Sequence, residues 1–331
     1  MTQYERIKER LRSINIKRNK KRVTDVRLHL TQYLSHVIPL SSQRFILSPL
    51  IRASLLSQIG SYNFIKLFNI RNTTPVNIFK GTVGIYGFKG LWKGTTSHVL
   101  SGVIFPSVYM ISKWISNVTY VPYYDKPKGQ YLKRYLESLS ICTFSHLFSY
   151  PLDTCYTRLS SDYTNCSIKK YIRHIIQQYG VRNLYSGFLL CLLSTSTHLM
   201  ITLPLNQQMQ YRIINSVNDE IAKNPILKSN PKSIKPKELK PVELYPFNLI
   251  FATLVSFVSK TITYPIDTLK VKYQYNTREN YGYKRFFAQI KQSGGFSVRK
   301  LYAGFSMKSV LFLPECLLYG TLYSAVVKFL S

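Results

Sequence analysis

The sequence predicts an all-α membrane protein with six transmembrane helices in three two-helix repeats, arranged with pseudo-threefold symmetry and accompanied by short surface helices. Three observations predict this class. Apolar windows of membrane-spanning length recur along the chain, a proline motif recurs at a period of about 100 residues, and basic residues gather between the apolar windows.

The charge of the chain is strongly positive, with 45 Lys+Arg against 14 Asp+Glu. Such an excess predicts an anionic partner, either nucleic acid or a phospholipid surface. The sequence has no zinc-finger spacing, no Gly-rich RNA-binding signature and no basic zipper, and its basic clusters flank apolar stretches instead. We therefore expect anionic phospholipid headgroups as the partner, and no nucleic acid.

The reactive side chains form no pattern typical of an enzyme. The five cysteines show no Cys-x-x-Cys or Cys/His ligand spacing. The sequence also contains no nucleophile–base constellation, no Walker loop and no paired carboxylates. We therefore predict no catalytic residues, no metal and no cofactor.

The apolar windows are uneven in quality. They lie at about 95–115, 130–150, 187–206, 246–264 and 305–330, and the window at 95–115 is the weakest of these. The stretch 27–48 is poorer still, because it carries charged and polar residues such as Arg44. Hydropathy alone therefore predicts four or five spans, and the internal repeat raises the number to six.

Three segments share one pattern. They read SPLIRASLLSQ, YPLDTCYTRLS and YPIDTLKVKYQ, and their prolines are Pro49, Pro151 and Pro265. Between 36 and 45 residues later, each reaches the last glycine of a Gly…aromatic-x-Gly element, at Gly94, Gly187 and Gly304. A repeat with an even number of helices enters the membrane in the same orientation each time, so three copies can close around one axis. The prolines are predicted to kink the odd helices inward and narrow one mouth.

These motifs resemble the mitochondrial carrier family over roughly residues 27–330. The family pattern is Pro-x-Asp/Glu-x-x-Lys/Arg at the end of each odd helix, followed by a short helix parallel to the membrane and an acidic-Gly…aromatic-Lys/Arg-Gly element. The resemblance predicts surface helices at about 75–85, 167–178 and 282–293. In the second of them, helical spacing relates Ile168, Ile172, Ile175 and Ile176. Basic residues lie between these isoleucines, as is typical of an interfacial amphipathic helix.

The resemblance also implies a gate on the matrix side. In the family, the acid two residues after one proline pairs with the base five residues after the next proline, and a glutamine nine residues after the proline braces the bridge. The positions that correspond here are Ile51, Ser54, Gln58, Asp153, Tyr156, Asp267, Lys270 and Gln274. Asp153 and Lys270 form the one complete pair.

The other two joints of this gate have lost charges. Ile51 is predicted to face Tyr156, so that the acid and the base are missing together. Asp267 is predicted to face Ser54 and lacks a cation unless Arg52 reaches it. An unpaired carboxylate in a membrane bundle is costly, so we expect Asp267 to sit in water or to find another partner. A surface-exposed amide is the alternative interpretation of Gln58.

The opposite gate has no complete bridge in this interpretation. The family places an aromatic-acid-x-x-base motif late in each even helix. The third repeat keeps the aromatic residue as Tyr323, but Ser324 and Val327 replace the acid and the base, and Lys328 lies one place too far on. The second repeat has neutral residues at these places, and the first has no acid near Lys113.

The resemblance places substrate contacts seven and eight residues after the glycine that opens each even helix. These positions are Ser101, Gly102, Ser194, Thr195, Leu311 and Phe312. None of them is charged, and Lys308 is the nearest cation. The alternative is that they are helix-packing positions, where small residues permit close approach.

The sequence divides into five parts, which are a basic arm at 1–26, repeat 1 at 27–118, repeat 2 at 127–215, a Pro/Lys-rich connector at 216–245 and repeat 3 at 246–331. The arm is either a solvated segment that touches anionic headgroups or a cleaved presequence. The connector is expected to be extended or disordered.

Two functions stay open. The resemblance implies a transporter that moves a small-molecule substrate across the inner mitochondrial membrane by alternating access, with cardiolipin among its lipid partners. The degenerate gates and the neutral contact positions favour an alternative, which is a non-transporting adaptor of the outer membrane that acts in fusion or lipid organisation.

Overall fold

The computed structural model describes residues 30–60, 75–119, 131–161, 167–223, 241–276, 282–292 and 294–330, and the regular elements within these ranges are all helical. The helices are α1 (30–46), α2 (Ser48–Ile59), α3 (Pro75–Tyr86), α4 (Thr95–Thr119), α5 (Tyr131–Ser161), α6 (Ile168–Tyr179), α7 (Phe188–Lys223), α8 (Pro241–Asn276), α9 (Tyr283–Gln292), α10 (Val298–Leu301) and α11 (Phe305–Leu330). The predicted basic arm and most of the predicted connector lie outside the described residues.

The three repeat prolines occupy different places in their helices. Pro151 lies inside α5 and Pro265 inside α8, and both helices continue past them. In the first repeat the helix is interrupted at Leu47, and Pro49 belongs to the first turn of α2. Proline is tolerated in a first turn because its missing N–H would have no partner there.

The long helices contact one another in chain order. Contacts join α4 to α5, α5 to α7, α7 to α8, α8 to α11, and α11 back to α2. The helices α2, α5 and α8, which follow or contain the repeat prolines, also contact one another. The polar cavity described below lies among these helices.

Among the residues that the structure describes, three helices are long and apolar enough to cross a membrane. They are Phe88–Ser116, Val181–Asn206 and Val298–Phe329. The first two contain the predicted windows at 95–115 and 187–206, and the third covers all but the last residue of the window at 305–330. The windows at 130–150 and 246–264 fall in α5 and α8, which carry charged residues along their length. In a bundle with a polar interior, those charges can face the cavity instead of the lipid.

The short helices lie close to where the resemblance predicts them, at α3, α6 and α9. Each buries one or two apolar side chains against the helix that precedes it. Ile78 of α3 packs with Leu55 and Leu56, and Phe286 of α9 packs with Tyr273. Basic residues of α6 and α9 point outward, including Lys169, Lys170, Arg173, Lys284, Arg285 and Lys291.

The packed face of α6 differs from the predicted isoleucine stripe. Tyr171 and Ile175 are its buried side chains, and they contact Cys155 and Leu159 of α5. Ile176 is 39% exposed, because it lies one residue, or about 100°, around the helix from Ile175. The apolar surface of α6 is therefore divided between the protein and its surroundings.

Candidate functional site

A cavity of about 490 Å³ lies among α1, α2, α5, α8 and α11. All eight predicted matrix-gate residues line it, which are Ile51, Ser54, Gln58, Asp153, Tyr156, Asp267, Lys270 and Gln274. The repeat spacing therefore brings together residues that lie more than 200 positions apart in sequence. That these residues form a gate stays a prediction.

Both cavity aspartates are bound by serines from the preceding long helix, α4 or α7. The Ser101 hydroxyl donates to Asp153 Oδ1 at 2.6 Å, and the Ser194 hydroxyl donates to Asp267 Oδ1 at 2.6 Å. The two serines hold the same place, seven residues after Gly94 and Gly187. Hydrogen bonds to a charged acceptor are the stronger kind, so each serine lowers the cost of keeping a carboxylate in the bundle.

Lys270 lies beyond ion-pair distance of both carboxylates. It lines the cavity with Asp153 and Asp267, and both charges act on it at longer range. The ion pair that the cavity lining does contain joins Lys308 to Glu315 at 3.0 Å, within α11. In this conformation Asp153 is therefore held by a serine, and the predicted Asp153–Lys270 bridge is not formed.

The joint between the third and the first repeat has apolar side chains in place of this polar arrangement. Ile51 takes the place of the carboxylates, and Leu311, seven residues after Gly304, takes the place of the serines. Leu311 is 1% exposed, and Ile51 packs against a cluster that includes Tyr156 and Val271. Ile51 and Tyr156 stand where the family motif has an acid and a base. With both charges missing, apolar packing joins α2 to α5.

Arg52 does not serve Asp267. Its guanidinium donates to the carbonyl of Ser160 at 3.2 and 3.0 Å and also to the carbonyl of Gly90, so it ties α2 to the end of α5. Ser54, the residue predicted to face Asp267, donates to the Gly304 carbonyl at 3.4 Å. Asp267 therefore has a different partner from either of these, and that partner is Ser194.

The two brace glutamines are buried. Gln274 accepts from Thr157 at 2.9 Å and donates to Thr154 at 3.2 Å, so it links α8 to α5. Gln58 is 8% exposed and lines the cavity from α2. The alternative of a surface-exposed amide at Gln58 is therefore wrong.

The three glycines that immediately precede α4, α7 and α11 make equivalent contacts. Gly94, Gly187 and Gly304 all have positive φ, at 81°, 82° and 76°. A Cβ there would lie 3.3 Å from Tyr156, 3.5 Å from Lys270 and 2.9 Å from the Ser54 carbonyl, respectively. Each of these neighbours stands five residues after a repeat proline. Repeat 1 thus packs as the other two do, despite its lost charges.

The predicted substrate contacts divide into two groups. Phe312 and Lys308 line the cavity. Ser101 and Ser194 bind the carboxylates, Thr195 bonds to His146 Nε2 at 3.2 Å, and Leu311 is buried in packing. Gly102 lies against the side chain of Arg44, whose Cδ would be 2.9 Å from a Cβ added at that glycine.

Arg44, Lys260 and Glu315 are cavity-lining charges that the sequence interpretation missed. A signal for two of them existed. Arg44 and Lys260 both stand five residues before a repeat proline, and His146 stands at the same place in the second repeat. Arg44 counted only as a defect in an apolar window, which hid its position in the repeat.

At the other end of the bundle, neutral groups join α1 to its neighbours. His36 Nδ1 bonds to the Tyr319 hydroxyl at 2.6 Å, and its ring lies 5.5 Å from that of Tyr323. Tyr33 bonds to Ser107 at 3.0 Å. These contacts link α1 to α11 and to α4 without a charged pair.

A family model described as mitochondrial carrier protein matches residues 128–216 and 244–331, which together make up more than half of the chain. The chain belongs to the mitochondrial carrier family. A comparison with curated proteins gives no significant match. The matched ranges contain both cavity aspartates and Lys270, the charged residues of the carrier motif.

Residues 1–127 of this carrier lie outside the matched ranges. There the motif residues are Ile51 and Ser54, which carry no charge, while Gly94 keeps the packing of a carrier glycine. Family membership makes a mitochondrial membrane the expected location and a small molecule the expected cargo. No group of three or more potential metal ligands occurs among the described residues of this carrier.

Proposed function

We propose that this carrier moves a small solute across the inner mitochondrial membrane by alternating access, using six transmembrane helices in three repeats with pseudo-threefold symmetry. The observation that carries the proposal is the central cavity, which collects four cations and three carboxylates from the converging helices. Charged side chains inside a membrane bundle are costly to keep and are typical of a substrate pathway. The recurrence of one glycine contact at all three joints supports the symmetric arrangement.

The gate works in this proposal by exchanging the partners of one carboxylate. In the conformation described here Ser101 holds Asp153. When α2, α5 and α8 close together, the Asp153 carboxylate would break its hydrogen bond to Ser101 and form an ion pair with Lys270. Two unit charges about 4 Å apart attract by about 4 kcal/mol at an effective dielectric constant of about 20. That energy, set against a charge-assisted hydrogen bond, biases the equilibrium without locking either state.

The surface helices supply the lipid contacts. The outward Lys and Arg of α6 and α9 lie beside buried aromatic and aliphatic anchors, an arrangement that suits a membrane interface. Anionic phospholipid headgroups, cardiolipin among them, would bind these residues. Neither nucleic acid nor a catalytic cofactor has a role in this proposal.

A second candidate is a non-transporting adaptor in the outer membrane. One observation favours it, which is the apolar joint formed by Ile51 and Tyr156 where a working carrier gate would carry charge. A gate with a permanently apolar joint could hold the bundle in a single conformation. Fractionation with protease protection separates the two candidates, because the transporter belongs in the inner membrane.

Reconstitution tests the proposed function directly. Purified full-length protein in liposomes is assayed for uptake of a labelled dicarboxylate, a nucleotide, inorganic phosphate, an anionic amino acid and a cationic amino acid. We expect uptake of at least one class, and loss of that uptake in Lys270→Gln but not in Lys89→Gln, which neutralises an exposed cation outside the cavity. A folded wild-type protein that moves none of them and fractionates with the outer membrane would establish the adaptor instead.

A further inference from the structure

Five residues before each repeat proline stands a side chain that can carry positive charge, namely Arg44, His146 and Lys260. The aspartates stand two residues after their prolines, so seven residues separate the two levels within α5 and α8. Seven residues make about two helical turns and about 10 Å of rise, which puts both levels on one face of the helix. The backbone positions of the two sets therefore lie about 10 Å apart along α5 and α8, while the Arg44 side chain reaches Ser101, which also holds Asp153.

Arg44 is directed toward the predicted contact positions of the first repeat. Its Nη1 donates to the His98 carbonyl at 2.8 Å and also to the Ser101 hydroxyl. Gly102 leaves room for the arginine, since an added Cβ would lie 2.9 Å from Arg44 Cδ. A guanidinium has five N–H donors, so three remain beyond the two on Nη1. Although Ser101 and Gly102 are uncharged, a cation from α1 therefore lies against them.

The remaining cavity cations differ in how they are neutralised. Lys308 is paired with Glu315, and Lys270 lies within the field of both aspartates. Arg44 and Lys260 line the same cavity, and neither is within ion-pair distance of a carboxylate in the described part of the chain. His146, at the same place in the second repeat, bonds through Nε2 to Thr195, the residue that corresponds to Gly102.

We infer that Arg44 and Lys260 form a two-cation site that binds an anionic group of the solute, a carboxylate or a phosphate. Two cations at equivalent positions of repeats 1 and 3 match the two or more oxygens of such a group, and arginine favours bidentate contact with it. The inference deepens the proposed function, because it takes the bound anion to be the transported solute.

Binding to the purified full-length protein in detergent tests the site. The probes are succinate, its neutral isostere succinamide and inorganic phosphate, and binding is followed by calorimetry and by the shift in Tm. We expect succinate or phosphate to bind and succinamide not to bind; the stronger of the two anions identifies the group. Arg44→Gln and Lys260→Gln should each weaken binding about tenfold or more, and Lys89→Gln, at an exposed lysine outside the cavity, should leave it unchanged.

Lys260→Gln keeps the test decisive even if Arg44→Gln fails to fold, because the Lys260 side chain is exposed to the cavity. Anion binding that is absent in the wild type, or equal in wild type and Lys260→Gln, overturns the site. Uptake measured in liposomes separates the two proposals. A protein that binds the anion through these residues but moves nothing overturns only the transporter. A protein that carries a neutral or cationic solute, unaffected by both substitutions, overturns only the anion site.

Discussion

Ser101 and Asp153 are joined by a hydrogen bond of 2.6 Å in which the hydroxyl donates to the carboxylate. Ser194 and Asp267 repeat this contact one joint further around the bundle. The two serines lie on α4 and α7, and the two aspartates lie on α5 and α8, the helices that contact them. The acids of the carrier motif are thus anchored across the joint between two repeats.

Removing these serines should destabilise the conformation described here. Ser194→Ala is the cleaner change, since Ser101 also accepts from Arg44. The lost hydrogen bond to a charged group should lower the free energy of unfolding by about 1.5–3 kcal/mol. Thermal unfolding in detergent measures this, with Ser140→Ala as the control at an exposed serine. If both substitutions give equal Tm values, the serine does not hold the carboxylate.

Asp153 and Lys270 should be coupled in the transport cycle even though they are apart here. Asp153→Lys and Lys270→Asp should each impair uptake, because each leaves an uncompensated charge in the bundle. The double exchange restores one acid and one base at the joint and should recover much of the loss. Uptake in liposomes measures the coupling. A double variant as poor as the sum of the singles would show that the two residues never meet.

The three helix-opening glycines should be intolerant of even one methyl group. Gly187→Ala and Gly304→Ala combine a left-handed backbone with contacts of 3.0 Å to the Tyr150 hydroxyl and 2.9 Å to the Ser54 carbonyl. Strain and overpacking together should cost about 2 kcal/mol or more. Gly84→Ala is the matched control, because nothing lies within 4 Å of a Cβ there. It should be neutral or slightly stabilising in the same unfolding measurement, since alanine favours helix over glycine by up to about 1 kcal/mol.

Three two-helix repeats require both termini on the same side of the membrane. Epitope tags at residues 2 and 331 should be equally accessible to protease in mitochondria whose outer membrane has been ruptured. Detergent lysis provides the control for intrinsic cleavability of each tag. One protected tag and one cleaved tag would mean an odd number of spans, with the segment around α1 as the one that fails to cross.

Much of the helical arrangement could be predicted from sequence, because the same proline and glycine motif occurs in each repeat. The family resemblance that the proline and glycine motifs carry predicted the short helices α3, α6 and α9, and it also predicted the eight residues that line one cavity. These features depend on local backbone geometry that recurs with the motif. The predicted face of α6 was less accurate, because Tyr171 rather than Ile176 packs onto α5.

The partners of the cavity charges could not be predicted in the same way. Ser101 and Asp153 are 52 residues apart, and nothing in either segment indicates that a hydroxyl rather than an ammonium group reaches the carboxylate. Arg44 was overlooked for a related reason. An arginine in a weak apolar window looks like evidence against a transmembrane span. The place of the Arg44 side chain in the cavity depends on Gly102, which lies beside it only in the folded bundle.

The closeness of Arg44 to Gly102 ties the evolution of two positions together. A lineage that keeps arginine at 44 cannot accept a larger residue at 102 without displacing the arginine stem, which a methyl group would meet at 2.9 Å. A lineage that loses the arginine is released from that constraint. Related carriers should therefore show paired states, with glycine opposite a long cation and a bulkier residue opposite a short side chain, and the switch between them should accompany a change of cargo.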